Sequence, residues 1–371
     1  MDIKYIEFYG KDGRKMKINM PSNYIQERGA ISKIATYFQQ LIKDNVLILM
    51  DDFSYMNIKE KVTEGLKEHK VNYILEVFKG ECCMENINAI IEKSNSRNIK
   101  YVIGIGGGKV LDVAKAVGHY GEMKYIMVPT AASTDGPCSK ISVLYESDGT
   151  FKEYINLHSN PYGVIVDTEI IANAPVRLLK AGIGDALSTY FETEAGYEGD
   201  IEKKGFSDIS LTARILSREC FDVIINNAHL AVQAVENKEV NENLEKVIEA
   251  IIYLSCIGFE NGSLAAAHSI ANALTSTSKY NNFMHGEKVA FGTIVQLILE
   301  NKEWELVNKV RNICREISLP YTAKQIGIES EEELDYIVET ASNCNQPIHN
   351  MKKVFIDKEA IKLSIKFTEK L

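Results

Sequence analysis

The sequence predicts an α/β domain followed by an all-helical domain, and two observations carry this. Up to about Asp167, short, continuously apolar runs alternate with stretches of helical period; beyond it, helical period continues with little β-branched alternation. Strands covered on both faces by helices read as unbroken apolar runs, and parallel strands need a helical crossover between them. The boundary falls between 167 and 168, giving domains 1–167 and 168–371.

Each element follows in order. MDIKYIEFYGKDGRK opens with strand-like alternation and lacks the apolar core of a secretory leader. Ile31–Leu41 has helical period. Val46–Met50 (VLILM) is an apolar run ended by Asp51 and Asp52, which suits a buried strand. Met84–Ser94 is again helical. Tyr101–Ile105 (YVIGI) runs into glycines, after which Val110, Val113, Ala114 and Val117 form the i, i+3, i+4, i+7 stripe of a helix packed on a sheet. Tyr125–Val128 (YIMV) runs into Pro129. Segments 169–197, 206–235, 241–275, 286–315 and 330–345 read as helices, and 196–205 (GYEGDIEKKG) as an exposed loop.

Composition narrows the class. The 371 residues are 45% apolar and 25% charged, enough for sizeable cores and against disorder. With 42 basic and 51 acidic residues the net charge is −9, which offers no positive field to nucleic acid. The apolar runs fall far short of the roughly 20 residues that span a membrane. Seven cysteines, an odd number without a C-x-x-C pair, read as reduced thiols in a cytoplasm. The expectation is a cytoplasmic enzyme with no nucleic-acid or membrane partner.

Three constellations bear chemistry. Gly104-Ile-Gly106-Gly107-Gly108-Lys109 follows a strand and opens a helix. Glycines there let backbone N–H groups approach a pyrophosphate, and a helix N-terminus favours the anion. The spacing is not G-x-G-x-x-G, since Lys109 stands at the last glycine, nor a Walker loop, since Val110 stands at the Ser/Thr. A plain strand–helix turn uses the same glycines. Asp51, at the end of an earlier strand, suits an adenosine ribose diol and repels a 2′-phosphate, favouring NAD over NADP. A loop carboxylate or a helix cap accounts for it equally well. In Pro129–Pro137 (PTAASTDGP) small and hydroxyl residues let a ligand come close, and Asp135 can accept from a substrate hydroxyl; Asp135-Gly136 also has ordinary turn chemistry. Finally, Asp185, His268 and His285 offer one carboxylate and two imidazoles, three ligands that leave a divalent metal an open position. Their spacing does not establish that they meet, and a histidine on the Ala-rich face LAAAHSIANAL is more often a buried, hydrogen-bonded one.

Taken together these strings resemble the glycerol dehydrogenase family, within the iron-containing alcohol dehydrogenase and dehydroquinate synthase-like superfamily. The likeness runs in order along nearly the whole chain: MPSNYIQERGAISKIA, IGIGGGKVLDVAKAV, VPTAASTDGPCSKISVLY, VDTEIIANAPVRLLKAGIGDALSTYFE, LAAAHSIANALT, HGEKVAFGTIVQL and PIHN. The resemblance implies a Rossmann-like N-terminal domain and a helical C-terminal domain, with nicotinamide and metal in the cleft between them. By position, Asp185, His268 and His285 match the family's metal ligands, which hold zinc in this branch and Fe2+ or another divalent ion elsewhere. Asp135 matches the residue that contacts glycerol. Asp51, Gly108, Lys109, Asp112, Thr130, Ser133, Ser139, Ile141 and Tyr145 match dinucleotide contacts, joined by Gly106 and Gly107 of the glycine loop. The implied activity is NAD-dependent, metal-dependent oxidation of a small vicinal diol, glycerol first, by hydride transfer in a homo-oligomer.

Four departures bear on substrate and metal. Ala271 stands where the family carries a further His, Tyr190 where a Trp is common, and KYNNFMHG replaces histidines upstream of the second imidazole ligand. These positions are expected to line or adjoin the substrate cleft and leave the polyol open. Thr189 stands where the iron-using branch often has a fourth ligand, a histidine, in agreement with three-ligand zinc. The alternatives are a related dehydrogenase acting on a hydroxy acid or sn-glycerol-1-phosphate, a dehydroquinate synthase-type lyase, and a non-catalytic NAD- or metal-binding relative.

Overall fold

The structure is a computed structural model that describes residues 8–9, 15–39, 44–199, 209–351 and 356–371. A small antiparallel pair, β1 (Phe8–Tyr9) and β2 (Lys15–Met16), comes first. The strands β3 (Tyr24–Glu27), β4 (Asn45–Met50), β5 (Asn72–Val77), β6 (Ile99–Gly106) and β7 (Lys124–Pro129) follow. An antiparallel hairpin, β8 (Ile141–Tyr145) and β9 (Phe151–Asn156), precedes β10 (Gly163–Asp167). One six-stranded sheet has the order β3-β10-β7-β6-β4-β5, and every pairing in it is parallel. The helices α1 (Ile34–Tyr37), α2 (Asp52–Asn57), α3 (Lys59–Glu68), α4 (Met84–Asn95) and α5 (Gly108–Tyr120) connect the strands.

The strand alternation sorts side chains between two cores. Leu47, Leu49 and Val102 pack with Val110, Val113, Ala114 and Val117 of α5 on one face. Val46, Ile48, Met50, Ile103 and Ile105 pack with Val62 and Leu66 of α3 on the other. Burial on both faces is why these strands read as unbroken apolar runs.

Every described element after Asp167 is helical: α6 (Thr168–Ala172), α7 (Val176–Glu198), α8 (Leu211–Glu236), α9 (Glu242–Glu249), α10 (Cys256–Asn261), α11 (Ala266–Thr275), α12 (His285–Leu299), α13 (Trp304–Glu316), α14 (Glu331–Ala341) and α15 (Lys358–Phe367), with single-turn pieces between some of them. The expected long segments are broken at identifiable residues. Pro175 separates α6 from α7, because it lacks an N–H and its ring clashes with the preceding turn. Asn301, at φ +52°, interrupts the 286–315 segment by turning left-handed between α12 and α13. In 241–275, a π-helical turn at Ala250–Ser255 and an irregular stretch at 262–265 intervene. In Ile31–Leu41 a 3-10 turn Ala30–Lys33 runs into α1, which ends at Tyr37, and residues 40–41 lie outside the described residues. Within GYEGDIEKKG, Gly196–Glu198 continue α7 instead of looping, and 200–205 lie outside the described residues, as do 1–7 and 10–14 of the expected N-terminal strand. Among the described residues no single helix is long and apolar enough to cross a membrane.

Candidate metal and dinucleotide site

Three helices bring Asp185, His268 and His285 together. Asp185 lies mid-way along α7 and is 3% exposed; His268 sits in the first turn of α11, and His285 opens α12. Asp185 Oδ1 is 3.6 Å from His268 Nε2 and 3.4 Å from His285 Nε2, and one ligand atom from each residue falls within 4.8 Å of the others. The His285 side chain is 42% exposed against 15% for His268, so the cluster is open on the His285 side. Burial disfavours the Asp185 carboxylate, but the His285 and His268 imidazoles outweigh it and hold its pKa below the carboxylate range.

Helix crossings set these distances. A Cβ on Gly286 would lie 1.7 Å from the Ala181 carbonyl oxygen and 3.1 Å from the Asp185 nitrogen, and one on Gly184 would lie 2.3 Å from the Gly286 oxygen. Backbone therefore meets backbone where α7 crosses α12, one residue from Asp185 and one from His285. Arg177 locks the same crossing by a paired contact with Glu287, at 2.7 Å and 2.8 Å.

A residue that sequence reasoning missed orients His268. Glu192 is fully buried, and its Oε2 accepts from His268 Nδ1 at 2.6 Å. Its Oε1 accepts from the backbone N–H groups of Ala265 and His268 at 2.7 and 3.0 Å, satisfying the start of α11. A carboxylate only accepts, so Nδ1 carries a proton, and Nε2 is the ring nitrogen turned toward Asp185. Burial opposes a charged His268, yet Glu192 and Asp185 overcome it and hold its pKa well above the ordinary value. The available signal was spacing: Glu192 is seven residues after Asp185, two turns along one face of a helix.

Asp135 precedes a 3-10 turn, Gly136–Cys138, beyond the end of β7. Its Oδ2 accepts from the Ser255 hydroxyl at 2.8 Å. Burial, and then the Asp185 charge, push its carboxyl up to about 8. Two of the departures are placed differently from expectation. The Tyr190 ring stacks on Phe221 and its hydroxyl accepts from Arg218, both on α8, about 140° round α7 from Asp185. It faces the α8 packing instead of the metal cluster. Ala271 is fully buried with Ala267 and Val289, filling the α11–α12 contact.

The remaining expected residues gather at the C-terminal ends of the strands. Between β4 and β6 the strand order reverses, and ligands of open α/β sheets bind in the crevice at such a point. Asp51 follows β4 there: its Oδ1 caps α2 by accepting from Ser54 N–H at 2.7 Å, and its Oδ2 accepts from Gly107 N–H at 3.0 Å. The cap reading is thus realised, and the same carboxylate braces the glycine loop. Gly106 has φ +149°, and a Cβ there would lie 2.3 Å from Asp51 Oδ2. Gly107 and Gly108 are exposed at the start of α5, while Lys109 pairs with Glu81 at 2.6 Å. Asp112 pairs with the buried Lys115 at 2.9 Å, and Lys115 also donates to the carbonyls of Gly136 and Ile141. Thr130 N–H donates to the Gly106 carbonyl, linking the two loops; Ser133 is half-buried in the loop that follows. The Ser139 hydroxyl lies within hydrogen-bond reach of the Gly136 and Ile141 carbonyls, and Tyr145 closes β8 against Phe151.

Comparison with known proteins follows the same lines. The chain is 39% identical to the glycerol dehydrogenase of Citrobacter freundii over 90% of this chain and 92% of that one. The chain belongs to the glycerol dehydrogenase family. A family member from Thermotoga maritima is also 39% identical, over 89% of this chain and 90% of that one. The crystal structure of glycerol dehydrogenase from Schizosaccharomyces pombe superposes with a TM-score of 0.91 at 32% identity, covering 99% of this chain and 92% of that one. The wider profile of iron-containing alcohol dehydrogenases matches residues 25–175. The fold of the glycerol dehydrogenase family, a parallel-sheet α/β region followed by a helical one, is therefore this chain's fold.

Proposed function

We propose that this chain is an NAD- and divalent-metal-dependent dehydrogenase that oxidises a small vicinal diol, glycerol foremost, to the hydroxy ketone. The observation that carries the reading is the Asp185–His268–His285 cluster, one oxygen and two nitrogen donors from three helices with a solvent-facing side. This donor set fits zinc, which takes carboxylate and imidazole ligands and keeps a position open in catalytic sites. A divalent ion held there supplies Lewis acidity that eases loss of a proton from a substrate hydroxyl. Glu192 keeps the His268 lone pair aimed inward, and Asp135 accepts from a neighbouring hydroxyl, which favours diols over monoalcohols.

NAD supplies the hydride acceptor. The cradle for it fits: Gly106 carries no Cβ where Asp51 stands, Gly107 is held by Asp51 through its N–H, and the exposed Gly108 and Lys109 offer the first N–H groups of α5 to a pyrophosphate. Asp51 faces the ribose, while Thr130, Ser133, Ser139, Ile141 and Tyr145 border the nicotinamide half. Lys109 contributes at the rim, and Asp112 acts through Lys115 by holding the 136–141 turn. In this reading residues 1–167 hold the dinucleotide and 168–371 the metal, in a cytoplasmic homo-oligomer.

Metal analysis combined with NADH absorbance tests the reading, using NAD or NADP with glycerol, other diols, hydroxy acids and glycerol phosphates. The expected result is stoichiometric zinc, lost in Asp185→Ala and in His268→Ala, with NADH formed from glycerol. Metal retained in both variants would sink the site, and a preference for NADP would overturn the role of Asp51. Light scattering of the purified chain tests the assembly.

A further inference from the structure

The feature that the metal and dinucleotide sites leave unexplained is a short chain of buried hydroxyls. Thr189 and Ser255 lie in the helical layer, 2% and 0% exposed, with their hydroxyl oxygens 2.8 Å apart. Ser255 Oγ is in turn 2.8 Å from Asp135 Oδ2. Ser255 donates its one hydroxyl proton to the Asp135 oxygen, so toward Thr189 it can only accept, and Thr189 donates. The chain is therefore directional, running Thr189 to Ser255 to Asp135.

Two details make this more than incidental packing. Serines and threonines inside helices commonly return their proton to the carbonyl one turn back, as Thr293 does to Val289. Ser255 instead spends its proton on a residue 120 positions away. Ser255 also closes the π-helical turn Ala250–Ser255, one wide turn inside an otherwise continuous helical run. A π turn holds one residue more than an α turn and so rotates whatever follows it about the helix axis; such turns concentrate at functional positions. Ser255 is thereby presented to both α7 and the loop after β7, and a Cβ on Gly258 would lie 2.7 Å from Thr189 Cγ2, which shows how closely that helix approaches α7.

We infer that Ser255, backed by Thr189, is a positioning residue that sets the preference for vicinal diols by fixing the Asp135 carboxylate. With Oδ2 tied to Ser255, the plane of the carboxylate is set, and with it the direction in which Oδ1 accepts from a hydroxyl. The inference rests on the reading of Asp135 as the hydroxyl acceptor. It also gives Thr189 a role: it supports the acceptor from the α7 turn that follows Asp185.

The test compares zinc-loaded Ser255→Ala, Ser255→Thr, Thr189→Val and Asp135→Ala with the parent chain. Steady-state kinetics are measured with glycerol and 1,2-propanediol, with 1-propanol tested as substrate and as competitive inhibitor, and zinc content and the glycerol-induced shift of the melting midpoint are recorded. Ser255→Ala is expected to raise the glycerol KM about tenfold, the worth of one hydrogen bond, with a much smaller change in kcat. It leaves the 1-propanol constants and zinc content unchanged and shrinks the glycerol-induced shift. Ser255→Thr restores most of the loss, and Thr189→Val moves KM the same way by about threefold. If Asp135→Ala raises the glycerol KM and Ser255→Ala does not, the inference is wrong while the Asp135 reading stands. If Asp135→Ala leaves KM unchanged, that reading fails first. A Ser255→Ala enzyme that loses zinc, or weakens glycerol and 1-propanol alike, has a merely structural serine and overturns the proposal.

Discussion

Replacing Glu192 by glutamine separates two tasks performed by one buried carboxylate. Its Oε1 takes both backbone amides, Ala265 N–H at 2.7 Å and His268 N–H at 3.0 Å, while Oε2 takes His268 Nδ1 at 2.6 Å. Glutamine has the same shape and can keep its carbonyl oxygen on the two amides, so the start of α11 stays satisfied. Its NH2 then meets Nδ1, and two donors cannot share that contact. The imidazole answers by moving its proton to Nε2, the atom 3.6 Å from Asp185 Oδ1 and the one that offers a lone pair to a metal.

The magnitudes make the two tasks distinguishable. For stability, Glu192→Gln exchanges charge-assisted bonds for neutral ones, a loss of about 1–2 kcal/mol. For metal affinity, loss of such an outer partner typically costs about 10- to 100-fold, or roughly 1.4–2.8 kcal/mol. Glu192→Ala instead strands three buried donors and opens a cavity, which puts its stability loss at about 4 kcal/mol. Urea unfolding of the metal-free proteins gives the first quantity, and zinc titration in competition with a chromophoric chelator gives the second. Glutamine is expected to fold well and bind zinc poorly, and alanine to fail on both counts. A glutamine variant that binds zinc as tightly as the parent would refute the argument that Glu192 sets the His268 tautomer.

Three further outcomes follow from the same geometry. Gly286→Ala places a methyl 1.7 Å from the Ala181 oxygen, so α12 must retreat from α7 at a cost of about 1–3 kcal/mol, widening the 3.4 Å gap between His285 and Asp185; zinc content measured on the folded variant should fall, and full occupancy would break the link between this crossing and the site. Gly106→Ala combines φ +149° with a Cβ 2.3 Å from Asp51 Oδ2, so the NAD dissociation constant from fluorescence titration should rise at least about tenfold with zinc content unchanged. Burial works against the Glu287 carboxylate, but Arg177, the Met284 N–H and Lys288 hold its pKa below the ordinary 4.5; its stabilisation is complete above that ordinary value and is lost as pH falls through the lower folded-state value. Glu287→Gln should accordingly lower the unfolding free energy at pH 7 by about 1 kcal/mol, because Arg177 is more than half exposed, and the two proteins should converge in strong acid.

Which parts of this were legible beforehand follows from how each signal arises. Val46–Met50 and the stripe Val110, Val113, Ala114 and Val117 announce themselves because burial acts on every residue of a central strand and on one face of a helix. Asp185, His268 and His285 were legible as residue types, and the family likeness grouped them. Their convergence was not legible from spacing, since it depends on helix crossings cut to backbone-to-backbone distance by Gly184 and Gly286, and glycines inside helices look like mere weak points in a sequence. Glu192 was hidden for a different reason. A charged residue in an apolar helical run reads as a solvated edge, and only the α11 amides and His268 explain how it is fully buried. Ser255 was hardest of all, because the π turn before it shifts the helical phase and defeats the very period used to find helices. Tyr190 marks the converse error: its nearness in sequence to Asp185 suggested the cleft, whereas five residues of helix carry it round to α8. The missed positions are thus those whose meaning lies in a second element, and for Glu192 and Ser255 the partners lie more than 60 residues away. For this chain, then, substrate preference is to be sought in the contacts that aim Asp135 and His268 before it is sought at the substituted positions Ala271 and Tyr190, one filling a helix contact and the other facing away.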